Sequence, residues 1–152
     1  LILVIDTSVV VKWFVEEIEF EMARCLLDVD VERTAPELVI AETANVLQRK
    51  VRMGQMQESK AMEALRNLPS FFDRLYPSAE LAGPGFALSR LLDHSIYDCM
   101  YLALTLRDKG ARLVTSDLKF IGKANAAKLD NQIWNLNLAK NAVATGQENE
   151  NG

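Results

Sequence analysis

Four acidic residues stand where a carboxylate could do chemistry. Asp6 follows five apolar residues, Leu1-Ile2-Leu3-Val4-Ile5, and so falls at the carboxyl end of a β-prone run. Asp117 repeats that placement after Val114-Thr115-Ser116. Glu42 shares a helix face with Leu38, Val39, Asn45 and Val46, three and four positions away. Asp98 is set in Ser95-Ile96-Tyr97-Asp98-Cys99-Met100-Tyr101-Leu102-Ala103-Leu104, a helix with almost no polar face, where burying an unpaired charge costs several kcal/mol.

Each acid also has a plain structural role open to it. Asp6 could cap a helix from Val9 to Phe14, and Ser116 or Asp117 the helix containing Phe120 and Ile121. Ser95-x-x-Asp98 has the form of a capping box, and Glu42 could reach water from the edge of its face. The joint pattern favours chemistry. A parallel sheet with its first and fourth strands side by side brings Asp6 and Asp117 to one edge, and helices starting there add Glu42 and Asp98. Like charges about 4 Å apart repel by roughly 4 kcal/mol at an effective dielectric of 20, so such a quartet needs cations. Oxygen-only ligation suits Mg²⁺ or Mn²⁺, and two such ions can activate water and steady the leaving oxygen of a phosphodiester.

Other chemistries are struck out. The first strand runs into Asp6-Thr7-Ser8 rather than a glycine-rich turn, and no Gly-x-Gly-x-x-Gly or Gly-x-x-x-x-Gly-Lys occurs, so nucleotide cofactors lose their main support. His94 is the one histidine, with no Gly-x-Ser-x-Gly elbow, so a Ser-His-Asp triad would hang on that residue and a histidine-rich metal site is ruled out.

The elements that must position the acids alternate between strand and helix. Leu1 to Ile5 is a buried strand, and Glu19 to Asp28 a helix leading to a short strand around Arg33 to Ala35. Thr34-Ala35-Pro36-Glu37 predicts a capping box opening a helix from Pro36 to about Met53, stopped by Gly54. A helix over Gln55 to Leu68 precedes a strand at Leu75 and Tyr76. Helices follow over Ala79 to Leu92 and Ile96 to Lys109, the latter ended by Gly110, then a strand at Arg112 to Val114. Asp117 to Lys128 is helical, Ile133 and Trp134 form a fifth strand, and a polar, mobile tail follows. One or two helices between strands imply right-handed crossovers. The expected fold is therefore α/β, a three-layer α/β/α sandwich on a mostly parallel five-stranded sheet, with a domain over residues 1–137 and the tail over 138–152.

The chain has 152 residues, 49% apolar and 25% charged, with mean hydropathy +0.01, which excludes wholesale disorder. Its 17 Lys plus Arg against 21 Asp plus Glu leave a net charge of −4, which argues against a purely electrostatic nucleic-acid clamp unless bound cations supply the missing charge. Cys25 and Cys99 are too few for a zinc cluster or a disulfide framework and fit a reducing, cytoplasmic compartment. The opening apolar run is broken by Asp6 and far shorter than a membrane span; no membrane association or export signal is expected.

In this order and spacing, Val4-Ile5-Asp6-Thr7-Ser8, Pro36-Glu37-Leu38 with Glu42, His94-Ser95-Ile96-Tyr97-Asp98 with Tyr101-Leu102-Ala103-Leu104, and Val114-Thr115-Ser116-Asp117-Leu118-Lys119-Phe120 resemble the PIN-domain ribonucleases, in particular VapC-type toxins of toxin-antitoxin systems. The resemblance covers Ile2 to about Trp134. It implies a metal-dependent endoribonuclease with Asp6 and Asp98 as the principal Mg²⁺ ligands and Glu42 and Asp117 completing the pocket. Thr7, Ser8, Thr115 or Ser116 would orient the carboxylates. It also implies a homodimer and a cognate antitoxin. Two other classes stay open from the residues: a nucleic-acid or partner-binding domain without catalysis, its acids serving as caps, and a phosphatase with a strand-end aspartate nucleophile, weakened because Ser8 stands where Asp-x-Asp would place its second acid. Arg49, Lys50 and Arg52 suit the negative end of their helix better than RNA, and Trp13 suits the core better than a base.

Overall fold

The computed structural model describes residues 1–150. Five strands, β1 (Ile2–Ile5), β2 (Glu32–Pro36), β3 (Arg74–Tyr76), β4 (Ala111–Val114) and β5 (Ile133–Trp134), form one sheet in the order β3-β2-β1-β4-β5. Every pairing is parallel. Helices α1 (Thr7–Phe14) and α2 (Phe20–Cys25) join β1 to β2, α3 (Leu38–Arg52) and α4 (Glu58–Asn67) join β2 to β3, and α5 (Ser78–Leu92) and α6 (Ile96–Thr105) join β3 to β4. Helix α7 (Leu118–Ala126) leads to β5, and α8 (Leu136–Glu150) follows it.

The first two crossovers step outward from β1 in one direction and the last two in the other. Right-handed connections therefore place α1 to α4 on one face and α5 to α7 on the opposite face, which gives the expected three layers. The chain reverses direction between β1 and β4, and in open parallel sheets the crevice beyond the carboxyl ends at such a reversal is where ligands bind. Leu3, Ile5 and Leu113 are fully buried between the helical layers, joined by Tyr101 of α6 and Phe120 of α7. Helix α6 crosses β1, β2 and β4 and packs closely on α5: a Cβ at Gly85 would lie 2.7 Å from Met100 Cγ.

Three local expectations are corrected. Thr34 and Pro36 belong to β2, and α3 starts at Leu38 with no side-chain cap at Glu37. The sheet wins because Pro36 lies past the end of the ladder to β1, where its missing N–H costs nothing, and the Glu37 N–H continues the pairing by donating to Tyr76 O at 2.8 Å. Helix α6 stops at Thr105, not Lys109, and Gly110 donates its N–H to Asp108 Oδ1 at 2.7 Å in an Asx turn instead of capping a helix. The residues from Asn141 continue α8 to Glu150, with Ala139 and Val143 buried, so the expected boundary at 137/138 falls inside a helix. Residues 151–152 of the expected tail lie outside the described residues. Gly54 does end α3: its φ of 72° sets up a Schellman turn in which Gln55 N–H donates to Lys50 O at 2.9 Å.

Candidate active site

Strand register places the first acid. Ile5 pairs with Val114, so Asp6 and Thr115 emerge side by side beyond the sheet, and Asp6 N–H extends the ladder by donating to Val114 O at 3.0 Å. Thr115 Oγ1 donates to Asp6 Oδ2 at 2.8 Å and Ser8 Oγ donates to the same oxygen at 2.5 Å. Both hydroxyls are themselves fixed: Asp117 N–H donates to Thr115 Oγ1 at 3.1 Å, and Ser116 N–H to Ser8 Oγ at 3.0 Å. Although Asp6 occupies the N-cap position of α1, its side chain caps nothing.

The remaining acids arrive on helices that start from the same edge. Glu42, one turn into α3, accepts at Oε1 from Tyr101 Oη at 2.7 Å and Thr7 Oγ1 at 3.1 Å. Asp98, in the first turn of α6, has Oδ2 2.7 Å from His94 Nε2, while Ser95 caps the helix by accepting from Tyr97 N–H. Asp117 caps α7, its Oδ1 accepting from Phe120 N–H at 3.0 Å, and its Oδ2 lies 3.7 Å from His94 Nε2. The cap reading is thus met at Asp117 alone of the four.

All four acids line one open cleft of about 320 Å³, together with Thr7, Ser8 and Ser116. At its edge Asp98 and Asp117 meet His94, with one ligand atom from each lying within 4.8 Å of the others, a group that does not include Asp6 or Glu42. Among the described residues each carboxylate has one oxygen held by a hydroxyl, amide or imidazole donor, and a second, Asp6 Oδ1, Glu42 Oε2, Asp98 Oδ1 or Asp117 Oδ2, that accepts no protein hydrogen bond. Oxygens fixed on one side and free on the other are what a hard cation requires of its ligands. The Ser116 hydroxyl orients no carboxylate; its Oγ is buried without a partner, and the residue contributes its N–H instead.

Electrostatics point the same way. Burial pushes the Asp6 carboxyl up to about 6; the Ser8 and Thr115 hydroxyls pull it down, while Asp98 and Glu42 push it further up. Glu42 is raised by burial and by Asp98, against the pull of Tyr101 and Thr7. Asp98 is raised by burial and by Asp117, against the pull of His94. Crowded carboxyls with raised proton affinity gain stability when a cation replaces the protons.

Two participants escaped the sequence reading. His94, in the sequence a possible triad member and part of the motif with Asp98 but with no role of its own at the site, stacks its ring on Phe120, centroids 4.5 Å apart and planes 4° from parallel, and fixes Asp98. The His94-x-x-x-Asp98 spacing carried that signal. Tyr101 is fully buried and one turn beyond Asp98, where its hydroxyl meets Glu42 and Thr7. Trp13, by contrast, is core: 6% exposed, it donates from Nε1 to Ala23 O and packs on Phe71 and Phe72. Ser8 spends its proton on Asp6, so no second acid supports the phosphatase arrangement.

Comparison with known proteins follows the same lines. The model of the PIN domain family matches residues 3–125. Ribonuclease VapC3 of Pyrobaculum aerophilum is 31% identical over 123 residues, covering 80% of this chain and 93% of that protein. The crystal structure of PAE2754, also from Pyrobaculum aerophilum, superposes with a TM-score of 0.68 over 94% of this chain and 95% of that one; at 18% identity it speaks for the fold alone. With a family model spanning most of its length and a ribonuclease relative aligned nearly end to end, the chain belongs to the PIN-domain family.

Proposed function

We propose that this protein is a metal-dependent endoribonuclease that hydrolyses RNA phosphodiester bonds as the toxin of a toxin-antitoxin pair. The carrying observation is the cleft in which four carboxylates each keep one oxygen pinned and one free. The donor set fits Mg²⁺ or Mn²⁺: it is all oxygen apart from the imidazole, whose Nε2 is engaged with Asp98, and it concentrates negative charge, the one lysine on the cleft wall, Lys12, being paired with Glu17. Asp6 and Asp98 would be the principal ligands, with Asp117 and Glu42 beside them. Once bound, a divalent cation supplies Lewis-acid polarisation of the scissile phosphate and neutralises charge building on the leaving oxygen.

The protein's own groups do the rest. Ser8 and Thr115 hold Asp6 in one rotamer, Tyr101 and Thr7 hold Glu42, and His94 holds Asp98, so the ligand oxygens need little reorganisation on binding. Glu42, with a raised proton affinity and a free Oε2, is suited to take the proton of the attacking water. The cleft's hydroxyls on Ser8 and Thr7 are spent on orienting Asp6 and Glu42, and in the proposed reaction water attacks directly, without a covalent enzyme intermediate.

The Ribonuclease VapC3 relative supports RNA as substrate; a protein antitoxin as restraint, a homodimeric assembly and action in the cytoplasm complete the proposal on the resemblance to VapC-type toxins. Among the described residues no helix is long and apolar enough to cross a membrane. The test is cleavage of total and transfer RNA with Mg²⁺, with Mn²⁺ and with EDTA, beside Asp98→Ala. Cutting that needs the cation and vanishes in the variant supports the proposal, whereas cutting that survives EDTA or the substitution overturns it.

A further inference from the structure

A second recess, of about 380 Å³, opens on the other side of His94 and has the opposite electrical character. Arg90 of α5 and Lys119 and Lys123 of α7 line it, with the hydroxyl-bearing Ser89 and Ser95. Asp93 is the one acid on its wall. Among the described residues none of the three cations has a carboxylate within 4 Å, in a chain whose net charge is −4.

The walls are built rather than incidental. The turn between α5 and α6 is held from both sides: Ser89 Oγ donates to His94 O at 2.5 Å, and Lys123 Nζ donates to Asp93 O. Asp93 adopts a left-handed φ of 49°, which Asp tolerates better than most residues, and so ends α5 and turns the chain toward His94. His94 ties the two recesses together: it lines the basic one, and its Nε2 lies 2.7 Å from Asp98 and 3.7 Å from Asp117, which line the carboxylate cleft.

We infer that this basic recess is a phosphate subsite for single-stranded RNA, holding an internal phosphodiester next to the one at the carboxylate cleft. The inference rests on the ribonuclease reading and deepens it. The two recesses divide the charges an RNA cleavage site must manage: the anionic cleft gathers cations and repels a bare phosphate, while the cationic recess attracts a phosphate directly. Guanidinium and ammonium donors together with serine hydroxyls are the groups that bind phosphate oxygens. A strand anchored there is held in register with the cleft across one side chain, which would set the position of cutting from the chain's own geometry.

The test is a fluorescence-anisotropy titration of the full chain with a 5′-hydroxyl, 2′-O-methyl oligoribonucleotide, its integrity checked on a gel after each titration, over a series of KCl concentrations in saturating Mg²⁺. Each phosphate contact on a single strand contributes about −0.7 to the slope of log K against log salt. Removing all three with Arg90→Gln, Lys119→Gln and Lys123→Gln together should flatten the slope by about 2 and weaken binding roughly 10- to 100-fold near 0.1 M salt. A control removing Arg66, Lys109 and Lys140, exposed on other elements, should leave the slope close to that of the parent. Equal slopes in parent and recess variant, an equal loss in the control, or no binding by the parent would overturn the subsite. Cleavage of the corresponding unmodified RNA is measured in parallel. A parent that binds with the expected slope and cuts nothing upholds the subsite and sinks the nuclease reading; a parent that cuts while the recess variant keeps the full slope does the reverse.

Discussion

Replacing Asp6 by Asn should stabilise the metal-free protein at neutral pH while removing its response to metal. Asp6 is 7% exposed and its carboxyl sits at about 6 in the fold, against 3.8 when free. The difference of about 2 pH units, at 1.36 kcal/mol each, makes the ionised side chain cost the folded state about 3 kcal/mol. The folded carboxyl is raised, so the stability tied to its protonation is fully present below pH 3.8, declines as pH rises, and is lost above about 6. Asn carries no charge and keeps an oxygen for the Ser8 and Thr115 hydroxyls, though as a weaker acceptor than carboxylate. A net gain of about 1–2 kcal/mol at pH 7.5 remains, or roughly 2–8 °C in Tm for a domain of this size, shrinking toward zero at pH 4. Thermal melts in EDTA across that range read the effect directly. Saturating Mn²⁺ should raise the parent's Tm, by the equivalent of about 3 kcal/mol at a hundredfold excess over Kd, and leave Asp6→Asn nearly unmoved. A variant that is less stable than the parent at pH 7.5 in EDTA, or equally stabilised by Mn²⁺, would refute the reasoning.

Asp117 both caps α7 and faces the cleft, and two substitutions separate the roles. Asp117→Ala should lose about 1 kcal/mol of stability together with activity, whereas Asp117→Ser should keep the cap and the Tm but still lose most cleavage, as paired melts and assays would show. His94→Ala leaves Asp98 without its 2.7 Å partner and should weaken Mn²⁺ binding about 10- to 100-fold in a calorimetric titration, with the far-UV CD spectrum unchanged. Tyr101→Phe removes the hydroxyl that fixes Glu42, a phenol that burial, with Asp6 and Glu42 nearby, keeps protonated well above its usual range; stability should fall by about 1 kcal/mol, and kcat should fall more than KM rises, because Glu42 then keeps only the Thr7 bond.

The acidic quartet was legible because each member broke a local rule. Asp6 and Asp117 end apolar runs, and Asp98 and Glu42 interrupt apolar faces, so each needed a reason that alternation and helical periodicity could not supply. The adjacency of β1 and β4 on which the quartet depends is present in the sheet, while the full order β3-β2-β1-β4-β5 is set by tertiary packing that the sequence pattern does not spell out. His94 and Tyr101 were harder to read because their roles depend on long-range partners: Tyr101 meets Thr7 and Glu42 across 94 and 59 positions of chain. The capping box at Thr34 misled because a local motif met a stronger tertiary demand, the ladder to β1 and β3 that holds Thr34 to Pro36 extended. Likewise the polar stretch on either side of Asn141 hides an apolar seam, Ala139 and Val143, too sparse to read without the α2 surface against which α8 packs.

The central claim is that the cleft between β1 and β4 holds a divalent cation on its carboxylates. Crystals grown in EDTA and soaked in Mn²⁺, measured near the manganese absorption edge, test it most directly. An anomalous peak about 2.2 Å from free oxygens of Asp6 and Asp98, with Asp117 or Glu42 beside it, is the predicted result. A cleft without a peak at Mn²⁺ concentrations that support RNA cleavage, or a peak bound elsewhere on the protein, would contradict it.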